Sequence, residues 1–354
     1  MQKNPKDVPA YITVFGSWEC MYACPGCYHT NSDKWKHNMG DKPLFMPFST
    51  FKRIVEEFKL HKTHIGLYSP GENFLNPDIY NMISYAQDQG CQVQCDTTGA
   101  PVDPVRLAET NVSDIIFSID GMTQEVYGAF RRNGNLVNVQ KRLEKFSDEV
   151  ERRGLKTNIV VKYLVNALTE NQMEEAVAYY SKLPNVTLKF DFFFPPEPFE
   201  KMVRYNSLYV SLDSYEEWRP KIMKDFDIYE ADQKNNIAVH KVALFGEKGP
   251  HCQSVLTGIT IDTDGGVIPC CKLDFKGAGK EDPMYFGSVF DSGGALGAFQ
   301  SDRAKRFRDH YREKKGAFYR CENCRHNFSL KEKEAMESNM DKYDYHTMLS
   351  GVSE

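Results

Sequence analysis

Between residues 10 and 194, six short apolar runs alternate with amphipathic stretches, and this alternation restricts the chain to folds built on a parallel sheet. The strand-like runs are Tyr11–Phe15, His64–Tyr68, Cys91–Cys95, Asp114–Ile119, Asn158–Tyr163 and Val186–Phe192. Helical signals lie between them. Ser49 is expected to cap a helix whose apolar positions Phe51, Ile54, Val55 and Phe58 follow 3.6-residue spacing. Asn76-Pro77 opens a second helix that Gly90 closes, and Thr169 opens a third. Six strand–helix units fall short of the eight of a closed barrel. Pattern alone leaves two arrangements, an open partial barrel and a doubly wound sheet, with the partial barrel the natural reading. Both place ligands at the carboxyl ends of the strands.

The pattern stops at Pro195-Pro196-Glu197-Pro198. The expected division is an α/β core over residues 8–194, a connecting segment over 195–250 with a helix at Asp213–Phe226, a cysteine-bearing α+β domain over 251–330, and a polar tail over 331–354. A net charge of −5 gives no electrostatic footprint for nucleic acid or an anionic membrane surface. No apolar run approaches the ~20 residues of a membrane helix, and the N-terminus lacks the pattern of a signal peptide. A cytoplasmic location is expected, where thiols stay reduced, so the spacing of the 10 cysteines points to metal or catalysis rather than disulfides.

Cys20-x3-Cys24-x2-Cys27 follows the first strand directly. Three thiolates on one loop can hold three irons of a [4Fe–4S] cluster and leave the fourth open for chemistry, while Pro25 and Gly26 let the loop fold back. A zinc site is the bland alternative.

Taken with the segments that follow, this loop resembles that of the radical S-adenosylmethionine (SAM) superfamily. The superfamily's glycine-glycine-glutamate motif corresponds to Pro70-Gly71-Glu72, with proline at the first position and Asn73 where proline is usual. Phe74 to Asp78 follows the family pattern, and Thr97-Thr98-Gly99 resembles its Thr-Asn-Gly segment. Ile116 to Gly121, with Tyr127 and Arg131, resembles the fourth-strand signature. The resemblance implies a partial (β/α)6 TIM-like barrel in which Cys20, Cys24 and Cys27 hold the SAM-binding cluster. It places Glu72, or the backbone at Pro70 and Gly71, at the SAM amino group. Ser118 falls at the ribose, Arg131 at the carboxylate, and Asp120 among the cofactor-binding residues. A flavodoxin- or ferredoxin-type donor would supply the electron that splits SAM into methionine and a 5′-deoxyadenosyl radical.

A second cysteine group surrounds a hairpin signal at Asp264-Gly265, with Cys252 before it, Cys270 after it and Cys321-x2-Cys324 some fifty residues on. Four thiolates make a closed site, iron–sulfur or zinc. The spacing resembles the SPASM and twitch extensions of radical SAM enzymes. No cysteine follows Cys324, so the twitch form with one auxiliary [4Fe–4S] cluster is the better match. Cys271 reads as a buried thiol beside that cluster, with a hydrogen-atom donor as the sharper alternative. Cys91 and Cys95 read as core.

These features lead to an expected radical SAM oxidoreductase, a dehydrogenase or epimerase acting on a small polar metabolite such as an aminoglycoside-like sugar. An auxiliary cluster can take the second electron of an oxidation. The alternative is a peptide maturase. Only about ten residues precede the first strand, which leaves no winged-helix recognition module of the kind many maturases carry. That difference favours the small molecule.

Overall fold

Apolar residues at every second position give each of the six runs one face to bury, and all six become strands. The computed structural model describes residues 8–24, 27, 40–61, 63–165, 168–192, 237–238, 256–271, 282 and 284–313. The strands are β1 (Tyr11–Val14), β2 (His64–Leu67), β3 (Gln92–Thr97), β4 (Asp114–Ser118), β5 (Asn158–Val165) and β6 (Val186–Phe192). They lie side by side in chain order and pair in parallel throughout. A doubly wound sheet reverses its order at a switch point. This order never reverses, which selects the open barrel.

Four further strands extend the sheet. β7 (Ile237–Ala238) pairs in parallel with β6. β8 (Gly258–Ile261) pairs in parallel with β1 through Tyr11↔Gly258 to Val14↔Ile261. β9 (Gly266–Ile268) and β10 (Gly287–Ser288) continue antiparallel from β8. Among the described residues, the order β10-β9-β8-β1-β2-β3-β4-β5-β6-β7 ends in two edges and the sheet does not close. The hairpin expected around Asp264-Gly265 is therefore continuous with the core sheet, and its turn holds Gly265 at φ +83°.

Helices α1 (Phe48–Phe58), α2 (Ile79–Asp88), α3 (Pro104–Glu109), α4 (Gln124–Phe130), α5 (Leu136–Arg153) and α6 (Met173–Tyr180) fill the crossovers. Two capping expectations differ. Ser49 lies inside α1, behind Pro47 at the cap, and Asp78 rather than Asn76 occupies the cap position of α2. Asn76 is instead buried for a tertiary purpose described below. Thr169 precedes a 3-10 turn, Glu170–Gln172, that leads into α6. Two more helices, α7 (Gly294–Gln300) and α8 (Asp302–Glu313), follow the hairpin.

One face of the sheet, with Ile12, Val14, Ile65, Leu67, Val93, Cys95, Ile115, Phe117, Ile159 and Val161, is buried together with the apolar faces of the helices. Burial of each such side chain stabilises by about 1.5–3 kcal/mol. The alternate positions Tyr11, Gln94, Asp96, Lys162 and Lys189 occupy the other face and remain half-exposed. That face is polar, and Lys162 stands in register between Ser118 and Lys189. The expected helix at Asp213–Phe226 and the tail at 331–354 lie outside the described residues.

Candidate active site

The loop after β1 carries Cys20, Cys24 and Cys27 at the carboxyl end of the strands, where the ends of β2, β4 and β5 also meet. Three sets of contacts hold it. Ser69, just past β2, accepts the backbone N–H groups of Gly16 (2.7 Å) and Ser17 (3.0 Å). Gly71 N donates to Ser17 O at 3.2 Å, and Glu72 N to Glu19 O at 2.7 Å. A Cβ at Gly71 would overlap the carbonyl of Glu19, so only glycine lets the two loops meet there. Farther along, the Tyr22 hydroxyl lies 3.1 Å from that of Tyr127 on α4, and Ala23 N donates to Arg132 O at 3.3 Å.

Trp18 adds a link to the hairpin. Its ring N–H donates to Asp262 at 2.7 Å, and Lys42 pairs with the same carboxylate at 2.8 Å. Asp262, 3% exposed, follows β8 directly. Its role depends on a residue 244 positions away, Trp18, and no local signal marks it in the sequence.

The three thiols suit an iron–sulfur cluster by their chemistry. None of the three is in a disulfide, Cys24 is buried, and Cys20 and Cys27 are half-buried against the core. Burial pushes the Cys20 thiol up to about 12, with the neighbouring Glu72, Cys27 and Cys24 adding to the rise. A bare thiolate is disfavoured there, and a bound iron offsets that cost by supplying positive charge. Among the described residues, no three His, Cys, Asp or Glu converge as one metal ion requires. A cubane asks for less convergence, since each thiolate meets its own iron.

The expected SAM contacts fall into two groups. Ser118 ends β4 on the polar face, and Pro70 and Gly71 are half-exposed beside the cysteine loop. Glu72 and Asp120 turn inward. The Glu72 carboxylate, 2% exposed, accepts from Thr98 N (2.6 Å), Thr97 Oγ1 (2.9 Å) and Phe74 N (3.0 Å). It joins the loop after β2 to the loop after β3. Its oxygens are engaged within the protein, which leaves the backbone at Pro70 and Gly71 as the part of this segment open to a ligand. Asp120, fully buried, accepts from Leu164 N and from Arg131 Nε, each at 2.5 Å. Arg131 Nη1 lies 3.7 Å from Cys24 Sγ.

Asn73 and Asn76 are not part of the expected site, yet both build it. Asn73, fully buried, donates to Leu67 O (2.7 Å) and to the Asp96 carboxylate (2.8 Å), and Ser69 donates to its carbonyl. Asn76 donates to Gly16 O (2.9 Å) and Met46 O (3.0 Å). Of the second cysteine group, Cys270 and Cys271 lie just past β9, half-buried against the core. Cys252, Cys321 and Cys324 fall outside the described residues.

The SPASM family model, an iron-sulfur cluster-binding domain, matches residues 252–325, a span that contains all five cysteines of the second group. The fold matches that of anSMEcpe with bound AdoMet, with a TM-score of 0.61, 18% identity, and coverage of 94% of this chain and 98% of that one. It also matches Streptococcus suis SuiB bound to S-adenosylmethionine, with a TM-score of 0.61, 14% identity, and coverage of 85% and 68%. Fold, cysteine loop and C-terminal match together resemble a radical SAM core followed by a SPASM iron–sulfur domain.

Among curated proteins the chain is similar to mycofactocin maturase MftC of Mycobacterium tuberculosis, 30% identical over 133 residues, which is 36% of this chain and 32% of that protein. The MftC of Mycobacterium ulcerans is 28% identical over 145 residues, 40% and 37% of the two chains. The matched stretch thus spans about a third of the length of these relatives. Among the described residues, no helix is long and apolar enough to cross a membrane.

Proposed function

We propose that this chain is a radical SAM peptide maturase, with Cys20, Cys24 and Cys27 holding the SAM-binding [4Fe–4S] cluster and the second cysteine group holding an auxiliary one. The observation that carries the catalytic reading is the three-cysteine loop set at the carboxyl end of an open parallel barrel. The similarity to mycofactocin maturases supports a peptide substrate. So does the shared fold with SuiB, which is also known bound to its precursor peptide SuiA. Both favour a peptide over the small polar metabolite expected from the sequence.

When bound and reduced, the cluster and SAM supply a 5′-deoxyadenosyl radical that removes a hydrogen atom from substrate. The protein's part is to hold and aim. Pro70 and Gly71 offer backbone groups to the SAM amino group, and Ser118 offers its hydroxyl to the ribose. Lys162, Lys189, Gln94 and Asp96 line the polar face on which a peptide segment would lie. The electron comes from a flavodoxin- or ferredoxin-type donor.

Iron, sulfide and zinc are measured after anaerobic reconstitution, together with dithionite-driven 5′-deoxyadenosine formation. About eight irons per chain and SAM cleavage are expected for two cubanes. About four irons with one zinc would make the second site structural. Cys24→Ala should abolish 5′-deoxyadenosine formation, and turnover that survives it would refute the first-site assignment. Mass change in a short peptide encoded beside this chain, dependent on SAM, tests the substrate class; oxidation of a sugar with every such peptide untouched would restore the small-molecule reading.

A further inference from the structure

We propose that Arg131 is a positioning residue for the cluster, raising its reduction potential by directing a guanidinium N–H at the Cys24 sulfur, and that Asp120 opposes and orients it. The inference rests on the reading that Cys20, Cys24 and Cys27 hold the [4Fe–4S] cluster. It assigns Arg131 a role before SAM arrives, distinct from the carboxylate contact expected from the sequence.

The arrangement is constrained at every joint. Arg131 ends α4, and its backbone is fixed by Arg131 N to Tyr127 O (2.6 Å) and Gly134 N to Arg131 O (2.8 Å). Its side chain is 14% exposed and pairs with a carboxylate that no solvent reaches. That carboxylate is itself clamped to the backbone of β5 by Leu164 N. With Nε committed to Asp120, the planar fork has a set direction, and Nη1 meets Cys24 Sγ at 3.7 Å. Reduction places one more negative charge on the cluster and its thiolates. A cationic donor facing a ligand sulfur favours that reduced form, and hydrogen bonds to cluster sulfurs are among the determinants of potential. Away from water the effect is weakly screened. Asp120 lies behind the guanidinium, so its negative charge works in the opposite sense at longer range.

The two residues therefore carry opposite signs. The test is a potentiometric titration, followed by electron paramagnetic resonance, of the anaerobically reconstituted full chain without SAM. The signal that changes on later addition of SAM identifies the first cluster. Arg131→Gln should make that cluster about tenfold harder to reduce, a fall of about 59 mV for a one-electron couple. Asp120→Asn should move it the other way, and the auxiliary cluster should stay put in both. An Arg131→Gln chain with full iron and an unmoved midpoint overturns the proposal. If that variant fails to hold iron, Asp120→Asn decides alone, and a midpoint that is unmoved or lowered overturns it. A wild-type chain in which no signal responds to SAM overturns the underlying cluster assignment instead.

Discussion

A carboxylate sealed from water must be met by donors, and Glu72 is met by three. Glu72→Gln turns one of the two acceptor oxygens into an amide –NH2, which faces either Thr98 N or the Thr97 and Phe74 donors. It should cost about 1–3 kcal/mol, read as a lower urea midpoint at unchanged m-value. Glu149, on α5, is a contrasting case. Lys145, Arg152 and Arg153 surround it, and hydrogen bonds led by that from Arg152 hold its carboxyl near 2, below the ordinary 4.5. A lowered folded-state value means the ion cluster stabilises above about pH 4.5 and loses that effect as pH falls toward 2. The melting-temperature gap between wild type and Glu149→Gln should thus be present at pH 7 and shrink across that window. A gap that is independent of pH would rule the cluster out. Both carboxylates are plain glutamates in the sequence; only their neighbours separate them.

At the scale of elements, the site is a set of loops brought into contact by small or buried polar residues. Gly71 lets the loop after β2 approach Glu19, next to Cys20. Gly71→Ala should push the cysteine loop away and reduce 5′-deoxyadenosine formation by about 10²-fold, the scale of a misplacement near 1 Å, with iron content preserved. Unchanged turnover would show that the approach is dispensable. Asn76 illustrates why local rules misassign such residues. Its position before proline reads as a helix cap, yet its amide is used by Gly16 O and Met46 O, 60 and 30 residues away. The apolar positions of α1 predict its buried face because periodicity is local, whereas Ser49 cannot cap a helix that already starts at Phe48, behind Pro47.

The whole molecule is tied together across the boundary that the sequence suggests near residue 250. β8 covers the edge of β1, Trp18 reaches Asp262, and Glu57 of α1 accepts the backbone N–H groups of Ala295 (3.0 Å) and Leu296 (2.6 Å) at the start of α7. The SPASM-matched region is thus part of the core's sheet. A chain ended after Pro250 should expose the β1 edge and aggregate rather than fold as an independent barrel. Size-exclusion chromatography and circular dichroism check this, and a folded monomer would show that the core is autonomous.

Parallel pairing and the cysteine loop could be read from the chain, because periodicity, crossover length and ligand spacing are local quantities, whereas the choice between barrel and doubly wound strand order was made only by the fold. The partners of Glu72, Asp120, Arg131, Asn73 and Asp262 could not. Each is a buried polar group whose partners lie on other elements, and which donor meets which acceptor is decided only when the sheet curves and the loops converge.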